Sequence, residues 1–265
     1  MAARQIAVAA TGDFGADVLE RLAADHDVVR LLTRPDKPRG RGRRVAPPPA
    51  KEVAERLGIP VAQPARLDES VEVGSDTVVV CAYGLLIPNV LLERALWLNV
   101  HPSLLPRWRG AAPVERALMA GDERTGVTIH RTVEALDAGP VAAERAFSIA
   151  PDDDAGAVYG RAAEIAAELL RDVLAQGEPQ FESQTEEGAT YADKIGPTDR
   201  ELDPDAPAQE LVNRVRALSP HIGARLGDLI VWRARVGEGG AFEPVEVQPA
   251  GGRRMAFDAY LRGRR

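Results

Sequence analysis

The stretch from Trp97 to Pro113 constrains the fold most, because an apolar run there leads into a segment interrupted by three prolines. Asn99 and His101 are separated by one residue at the end of the run, so on an extended strand their side chains point to the same side. The prolines, at positions 102, 106 and 113, prevent both a continuing strand and a regular helix. We therefore expect a stiff loop that carries two polar groups out of a sheet edge, where α/β proteins often place their chemistry.

The composition limits the cellular setting of the chain. No run in its 265 residues approaches the roughly 20 apolar residues of a membrane span, and the first eleven residues lack the layout of a signal peptide. We therefore expect a cytoplasmic protein with no membrane partner. The single cysteine, Cys81, excludes an internal disulfide, and without an HxxxH or HxH pattern no metal site is expected.

Alternating apolar strands and amphipathic helices predict an α/β fold built on a doubly wound sheet. The run Gln5 to Ala10, followed by a glycine turn and a helix, begins this pattern. The run Asp76 to Ala82 is the most strand-like and is expected at the centre of the sheet, covered on both faces. Further strands are predicted at 28–33, 59–61, 126–132 and 141–149, and helices at 47–57, 114–120 and 154–176.

Length and composition predict two domains joined by a linker. Residues 1–180 form the predicted first domain, which the helix at 154–176 closes. Residues 181–204 are polar and rich in glycine and proline, which favours a linker. Residues 205–265 contain a predicted helix at 208–218 and short strands within 228–236 and 242–247, so this second domain has a small core.

Three polar residues are expected to converge at one edge of the sheet. The central strand ends in the apolar loop Tyr83 to Pro88 at the carboxyl edge, where the ligand crevice of such a sheet lies. Asn99 and His101 reach the same edge, and Asp137 lies in a neighbouring turn. An amide donates without titrating, an imidazole titrates near neutrality, and a carboxylate can hold the imidazole's tautomer or raise its pKa. Together they suit a reaction in which an oxyanion forms and an amine loses protons.

Each member of this trio also has a structural interpretation. A strand-end asparagine such as Asn99 is usually a turn former, and a single histidine such as His101 is usually a satisfied structural group. His130 is expected to face outward on the strand at 126–132. Ser103 lacks the GxSxG pattern, so no serine nucleophile is expected. Only the combination of amide, imidazole and carboxylate favours chemistry.

The charge is unevenly distributed. The net charge of −7 argues against general nucleic-acid binding, yet seven basic residues lie between Arg34 and Lys51 with only Asp36 opposing them. The C-terminal end holds a second basic group. The glycine and proline content around positions 34–44 predicts a mobile loop. Its arginines are candidate contacts with an anionic partner, and the alternative is a solvated, flexible surface.

The motifs around the polar trio resemble those of the folate-dependent formyltransferases. The resemblance rests on the run from Asn99 to Pro113, on Gly126-Val127-Thr128-Ile129 and on Leu136-Asp137-Ala138-Gly139-Pro140. Other segments resemble the methionyl-tRNA formyltransferases in particular: the arginine-rich loop with Val45-Ala46-Pro47-Pro48-Pro49, Tyr191-Ala192-Asp193-Lys194-Ile195, and Val215-Arg216-Ala217-Leu218-Ser219-Pro220.

The resemblance implies a fold, two substrates and a set of roles. It implies a Rossmann-like, mostly parallel sheet and transfer of a formyl group from 10-formyltetrahydrofolate to methionyl initiator tRNA. His101 and Asn99 would donate hydrogen bonds to the formyl oxygen, and Asp137 would orient His101 and take the amine proton. The implied folate-binding residues are Tyr83, Gly84, Leu85, Leu86, Ile87, Pro88, Ser103, Leu104, Leu105, Pro106, Val133 and Leu136. The implied tRNA-binding residues are Arg39, Arg41, Arg43 and Arg44.

The second domain departs from the family pattern and keeps alternatives open. The family's barrel, which resembles an oligonucleotide-binding (OB) fold, needs more strands than the span after Ala224 provides, so we expect an incomplete barrel. A sugar-nucleotide N-formyltransferase shares the trio, although the arginine-rich loop disfavours it. A folate-binding or tRNA-binding module without catalysis is disfavoured because all three polar groups are present. A monomer is expected.

Overall fold

The protein is described by a computed structural model that covers residues 3–39 and 44–263, without the side chains of Arg39 and Arg44. The chain begins with β1 (Gln5–Ala10), α1 (Asp13–Asp25), β2 (Asp27–Leu32), β3 (Lys37–Arg39), β4 (Arg44–Ala46), α2 (Pro49–Leu57), β5 (Val61–Ala62), β6 (Thr77–Cys81), α3 (Asn89–Leu92), β7 (Leu96–His101), β8 (Arg109–Gly110) and α4 (Pro113–Ala120). It continues with β9 (Arg124–Arg131), β10 (Val141–Ser148), α5 (Ala155–Ala175), β11 (Tyr191–Ala192), α6 (Ala208–Leu218), β12 (Ala224–Leu226), β13 (Leu229–Val236), β14 (Phe242–Pro249), β15 (Met255–Ala256) and α7 (Phe257–Arg262).

A seven-stranded sheet carries the first part of the chain. Its strand order is β10-β9-β7-β6-β1-β2-β5, and β1, β2, β5, β6 and β7 pair in parallel. Strand β9 runs antiparallel to β7. The predicted α/β class with a mostly parallel sheet is confirmed. Every residue of β6 is buried and the strand lies fourth of seven, so its predicted central position is also confirmed.

The central strand owes its position to continuous apolar side chains. Val78 and Val80 face a core cluster that also contains Leu32, Trp97 and Tyr83. Continuous β-branched residues suit a strand that is covered on both faces. The same packing fixes the neighbouring β7, whose carboxyl end carries two of the candidate site residues.

The sequence predicted a mobile loop around positions 34–44, but part of this basic segment is paired strand. Strands β3 and β4 form a two-stranded antiparallel hairpin in which Lys37 pairs with Ala46 and Arg39 with Arg44. Residues 37–39 and 44–46 are therefore paired with each other through their backbones, which the glycine and proline content of the segment does not reveal. Arg41 and Arg43 lie outside the described residues.

The chain divides into two compact units. The first comprises Met1–Arg109, Gly126–Ala146 and Gly160–Ala189, and the second comprises Gly110–Thr125, Phe147–Tyr159 and Thr190–Arg265. The second unit contains a four-stranded antiparallel sheet in the order β12-β13-β14-β15. Its core is made by Val215 and Leu218 of α6 with Val231 and Val247 of the sheet.

The sheet of the second unit is open. Within residues 44–263, β12 and β15 are the two edges of this sheet and do not pair with each other, so these strands close no barrel. Residues 3–39 and 44–263 contain no helix that is long and apolar enough to cross a membrane.

Candidate active site at the ends of β7 and β9

Four polar side chains lie on one face at the paired ends of β7 and β9. In the register of the two strands, Asn99 is opposite His130 and His101 is opposite Thr128. Directly opposed residues of an antiparallel pair project to the same face of the sheet. The spacing of Asn99 and His101, seen in the sequence, therefore brings two more polar residues with it.

Asp137 completes the predicted trio. Its Oδ1 accepts a hydrogen bond of 3.1 Å from Nδ2 of Asn99, and its Oδ2 lies 3.6 Å from Nδ1 of His101. Its backbone has a φ of 47°, which lies in the left-handed region. Residues other than glycine adopt this conformation at a cost of about 1–3 kcal/mol. The structure thus brings Asn99, His101 and Asp137 together, as predicted.

Both amide hydrogens of Asn99 have partners. One points to Asp137, and Nδ2 also lies 3.0 Å from Nε2 of His130. Because a carboxylate only accepts hydrogen bonds, the amide must turn its nitrogen and not its oxygen toward Asp137. Donation from Asn99 to a formyl oxygen, which the family resemblance implies, therefore requires one of these two bonds to be exchanged.

His101 has one ring nitrogen occupied and one facing the carboxylate. Nε2 lies 2.8 Å from the carbonyl oxygen of Trp108, so in the neutral ring Nε2 carries the hydrogen and donates it. Nδ1 then faces Asp137, across a distance too long for a direct hydrogen bond. Burial lowers the pKa of His101, while the charge of Asp137 and the bond to Trp108 oppose this, and His130 adds a small lowering.

The expected outward orientation of His130 is wrong. The residue is 1% exposed, its Nδ1 lies 3.1 Å from the carbonyl of Arg131, and its Nε2 lies 3.6 Å from Oδ1 of Asp137. Since Nδ1 donates to a carbonyl, Nε2 of the neutral ring is an acceptor for Asn99. Six of the eight residues of β9 are buried, so the strand has no outward face at this point. The sequence signal that could have indicated this was the position of His130 directly after Val127-Thr128-Ile129, in a strand with few charged residues.

Sequence reasoning also missed Gln184 and Arg109. Gln184 lies in the segment predicted as a linker, yet its Nε2 donates to the carbonyl oxygen of Asp137 at 2.8 Å. Arg109 is 2% exposed and bonds to Gln184 and Glu186. Nothing in the local sequence pattern indicates contacts between positions so far apart in the chain.

The predicted folate loop Tyr83 to Pro88 presents one exposed apolar side chain. Leu86 is 82% exposed, whereas Tyr83 and Ile87 are buried. Gly84 has a φ of 75°, which allows the chain to turn there, and Leu85 packs against the core cluster. Tyr83 is held by its backbone carbonyl, which accepts from Thr11 at 2.9 Å, and burial raises the pKa of its hydroxyl to about 12.

The other predicted folate segments lie on the Asp137 turn and in the proline-rich loop. Leu136 is 61% exposed, Val133 is half-buried, and Asn89 bonds at 3.2 Å to Glu134 between them. The hydroxyl of Ser103 donates to the carbonyl of Arg107 at 2.7 Å, so this side chain stabilises its own loop.

A cleft borders the proline-rich loop and contains two of the predicted folate-binding residues. Its volume is about 430 Å³, and Leu105, Pro106 and Gln184 are among the residues that line it. Leu104 is half-buried. The side chains of the predicted tRNA-binding residues Arg39, Arg41, Arg43 and Arg44 lie outside the described residues. Their contribution to a binding surface remains a prediction.

An amide, two imidazoles and a carboxylate, gathered at one edge of a mostly parallel sheet, are the equipment of an α/β protein suited to acid–base group transfer. Comparison with known proteins specifies this class. Residues 4–174 match the formyl transferase family, and the chain therefore belongs to that family.

Three similar proteins illustrate the relationship. A methionyl-tRNA formyltransferase of Halorhodospira halophila is 42% identical, in an alignment covering 100% of this chain and 97% of the relative. The structure of a methionyl-tRNA formyltransferase from Clostridium thermocellum has a TM-score of 0.64 at 15% identity and covers 94% of this chain and 99% of that one. An N-formyltransferase from Helicobacter canadensis, in complex with folinic acid and dTDP-3-aminofucose, has a TM-score of 0.69 at 16% identity and covers 97% and 99%.

Proposed function

We propose that this protein transfers the formyl group of 10-formyltetrahydrofolate to the α-amine of methionine carried by initiator tRNA. The observation that supports this most is the convergence of Asn99, His101 and Asp137 at one sheet edge in a member of the formyl transferase family. The full-length similarity to proteins named methionyl-tRNA formyltransferase favours charged tRNA as the acceptor. Such an acceptor also implies a cytoplasmic location.

The proposed reaction forms one bond and breaks one. The amine nitrogen attacks the formyl carbon, a carbon–nitrogen bond forms, and the carbonyl becomes an oxyanion. Collapse of this intermediate breaks the bond between the formyl carbon and N10 of the folate. The amine loses one proton and N10 gains one, so the site must stabilise one negative charge and move one proton.

His101 is suited to the charge and Asp137 to the proton. With Nε2 held by the carbonyl of Trp108, His101 donates through Nδ1 to the oxyanion once Nδ1 has taken up a proton, which the charge of Asp137 favours. Asp137 lies 3.6 Å from Nδ1 and accepts the amine proton for relay. Asn99 donates to the same oxygen after exchanging its 3.1 Å bond to Asp137. Catalytic hydrogen bonds often reach their final geometry only in the substrate complex.

The two exposed leucines favour donor binding beside this trio. Leu86 and Leu136 present apolar surface on the Tyr83–Pro88 loop and on the Asp137 turn. A flat aromatic ligand that covered both would remove that surface from water, at about 25 cal/mol per Å² of apolar area. We propose that the pterin binds there, with backbone groups of the Asp137 turn supplying its polar contacts.

The arginine-rich hairpin is proposed as the tRNA contact. Arg39 and Arg44 pair through the backbone of β3 and β4, and the sequence between them contains Arg41 and Arg43. Arginine binds phosphate through charge-assisted, bidentate hydrogen bonds. We further propose that the open sheet of the second unit is a shortened OB-like domain that assists this binding, and that the protein acts as a monomer.

Charge removal in the hairpin tests the tRNA contact. Changing Arg41 and Arg43 to glutamine should weaken use of charged tRNA and reduce the log–log salt dependence by about 0.7–0.9 for each phosphate that the protein no longer neutralises. Slow hydrolysis of the folate donor without tRNA serves as the control and should not change. Unaltered tRNA kinetics would remove the hairpin from recognition.

A second candidate acceptor is an amino-sugar nucleotide. It is favoured by the fold similarity to the Helicobacter canadensis N-formyltransferase, whose structure contains dTDP-3-aminofucose. The test supplies 10-formyltetrahydrofolate with either methionyl initiator tRNA or dTDP-3-aminofucose and measures the formylated product. Formylation of the tRNA alone supports the proposal, whereas formylation of the sugar alone overturns it.

A further inference from the structure

We propose that Gln184 is a positioning residue of the formyl-transfer site, because its side-chain amide clamps the main chain on both sides of Ala138 and so fixes the carboxylate of Asp137. This inference rests on the proposed function. It adds to the predicted trio a residue from the segment that the sequence suggested was a linker.

The clamp consists of two short hydrogen bonds. Nε2 of Gln184 donates to the carbonyl oxygen of Asp137 at 2.8 Å and to that of Gly139 at 2.7 Å. Both amide hydrogens are thereby used on the turn that carries the candidate acid–base group. These bonds offset part of the conformational cost of the left-handed backbone at Asp137, whose φ is 47°.

A buried arginine fixes the orientation of the Gln184 amide. Nη2 of Arg109 donates to Oε1 of Gln184 at 2.9 Å, and Nε of Arg109 lies 3.3 Å from the same oxygen. Arginine can only donate and the two backbone carbonyls can only accept, so the amide has one satisfactory orientation. The glutamine therefore cannot turn its oxygen toward the Asp137 turn.

The charge of Arg109 is balanced at the surface. Its side chain is 2% exposed, and its Nη1 and Nη2 lie 3.0–3.1 Å from the carboxylate of Glu186, whose side chain is 76% exposed. Because a buried charge without a partner is strongly destabilising, the pairing with Glu186 favours the observed position of the Arg109 guanidinium. Glu186, Arg109 and Gln184 thus form a continuous chain of contacts from the surface to the Asp137 turn.

The position of the Asp137 carboxylate depends on this backbone. Its Oδ1 receives the bond from Asn99 and its Oδ2 faces Nδ1 of His101. Rotation of the turn would change both distances at once. Misplacement of a catalytic group by about 1 Å can cost about 10²-fold in rate.

Two substitutions separate the clamp from the packing of Gln184. Gln184→Leu removes all of its hydrogen bonds, whereas Gln184→Glu keeps the size and the acceptor for Arg109 but cannot donate to the two carbonyls when ionised. We expect both to lower kcat by about 10- to 10²-fold with little change in KM for the donor. Gln176→Leu is the matched control, because it makes the same change at a glutamine that is exposed and directly follows α5. Its kcat should equal that of the unaltered protein.

Retained kcat in Gln184→Leu, or in Gln184→Glu, would overturn the proposal, as would an equal loss in Gln176→Leu. Thermal unfolding of each variant identifies any general loss of stability. If Gln184→Leu does not fold, the kcat of Gln184→Glu is the result that tests the proposal.

A titration of His101 by NMR tests the clamp without any acceptor. Burial lowers the pKa of His101, the charge of Asp137 and the Trp108 carbonyl bond oppose this, and His130 adds to the lowering. If Gln184→Leu lets the carboxylate move away, the pKa of His101 falls. An unchanged pKa would overturn the positioning role. Absence of formylated tRNA with the unaltered protein would instead refute the proposed function alone.

Discussion

His130 offers the sharpest test of the site geometry, because its orientation follows from strand register and not from any sequence motif. We consider His130→Leu, which removes the acceptor 3.0 Å from Nδ2 of Asn99 and the donor to the Arg131 carbonyl. A neutral hydrogen bond contributes about 0.5–1.5 kcal/mol net. The substitution leaves Asp137 as the remaining anchor of the Asn99 amide.

The expected kinetic effect lies between two limits. If only the bond were lost, the effect would be about tenfold or less, since about 1.4 kcal/mol corresponds to a factor of ten. If Asn99 stopped donating to the oxyanion, the loss would be about 10²–10³-fold in kcat. Because one anchor remains, we expect a loss of about 10- to 10²-fold, measured as single-turnover formyl transfer with saturating substrates.

His130→Gln is the matched control. The glutamine side chain introduced at position 130 can place its amide oxygen near the former position of Nε2, where it can again accept a hydrogen bond from Asn99. We expect it to recover most of the lost rate, with thermal unfolding close to that of His130→Leu. Wild-type rates in His130→Leu, or equal rates in the two variants, would refute the assignment of His130 as a support for Asn99.

Two further predictions concern the same turn. Asp137→Asn removes the charge that opposes burial, so the pKa of His101 should fall further below the free value of about 6.5, and an upward or absent shift in an NMR titration would contradict this. Gly139→Ala should destabilise the protein by about 1–3 kcal/mol in urea unfolding, because a Cβ there would overlap the carbonyl oxygen of Arg131. Gly160→Ala, in α5, where an added Cβ would meet nothing within 4 Å outside the helix's own backbone, should instead stabilise it by about 0.5–1 kcal/mol, and equal effects would count against the packing argument.

The strands and the trio could be predicted because their signals are local. Continuous apolar residues place β6 at the centre of the sheet, and the two-residue spacing of Asn99 and His101 puts both on one face. The prolines that follow mark the end of β7. Each of these arguments uses residues a few positions apart.

The remaining parts of the site depend on long-range pairing. The inward orientation of His130 follows from the antiparallel register of β9 against β7, which hydrophobic periodicity does not specify when a strand is buried on both faces. The bond of Gln184 to Asp137 joins residues 47 positions apart. The same polar composition that suggested a linker supplies the amide and the carboxylate of the Gln184–Arg109–Glu186 chain.

Formation of N-formylmethionine on initiator tRNA tests the central claim most directly. Purified protein is mixed with donor labelled in the formyl group and with methionyl initiator tRNA, and the label on released methionine is measured over one turnover. We predict stoichiometric transfer with the unaltered protein and at least a 10²-fold slower transfer with His101→Ala. No transfer with the unaltered protein, or equal rates for both proteins, would contradict the account.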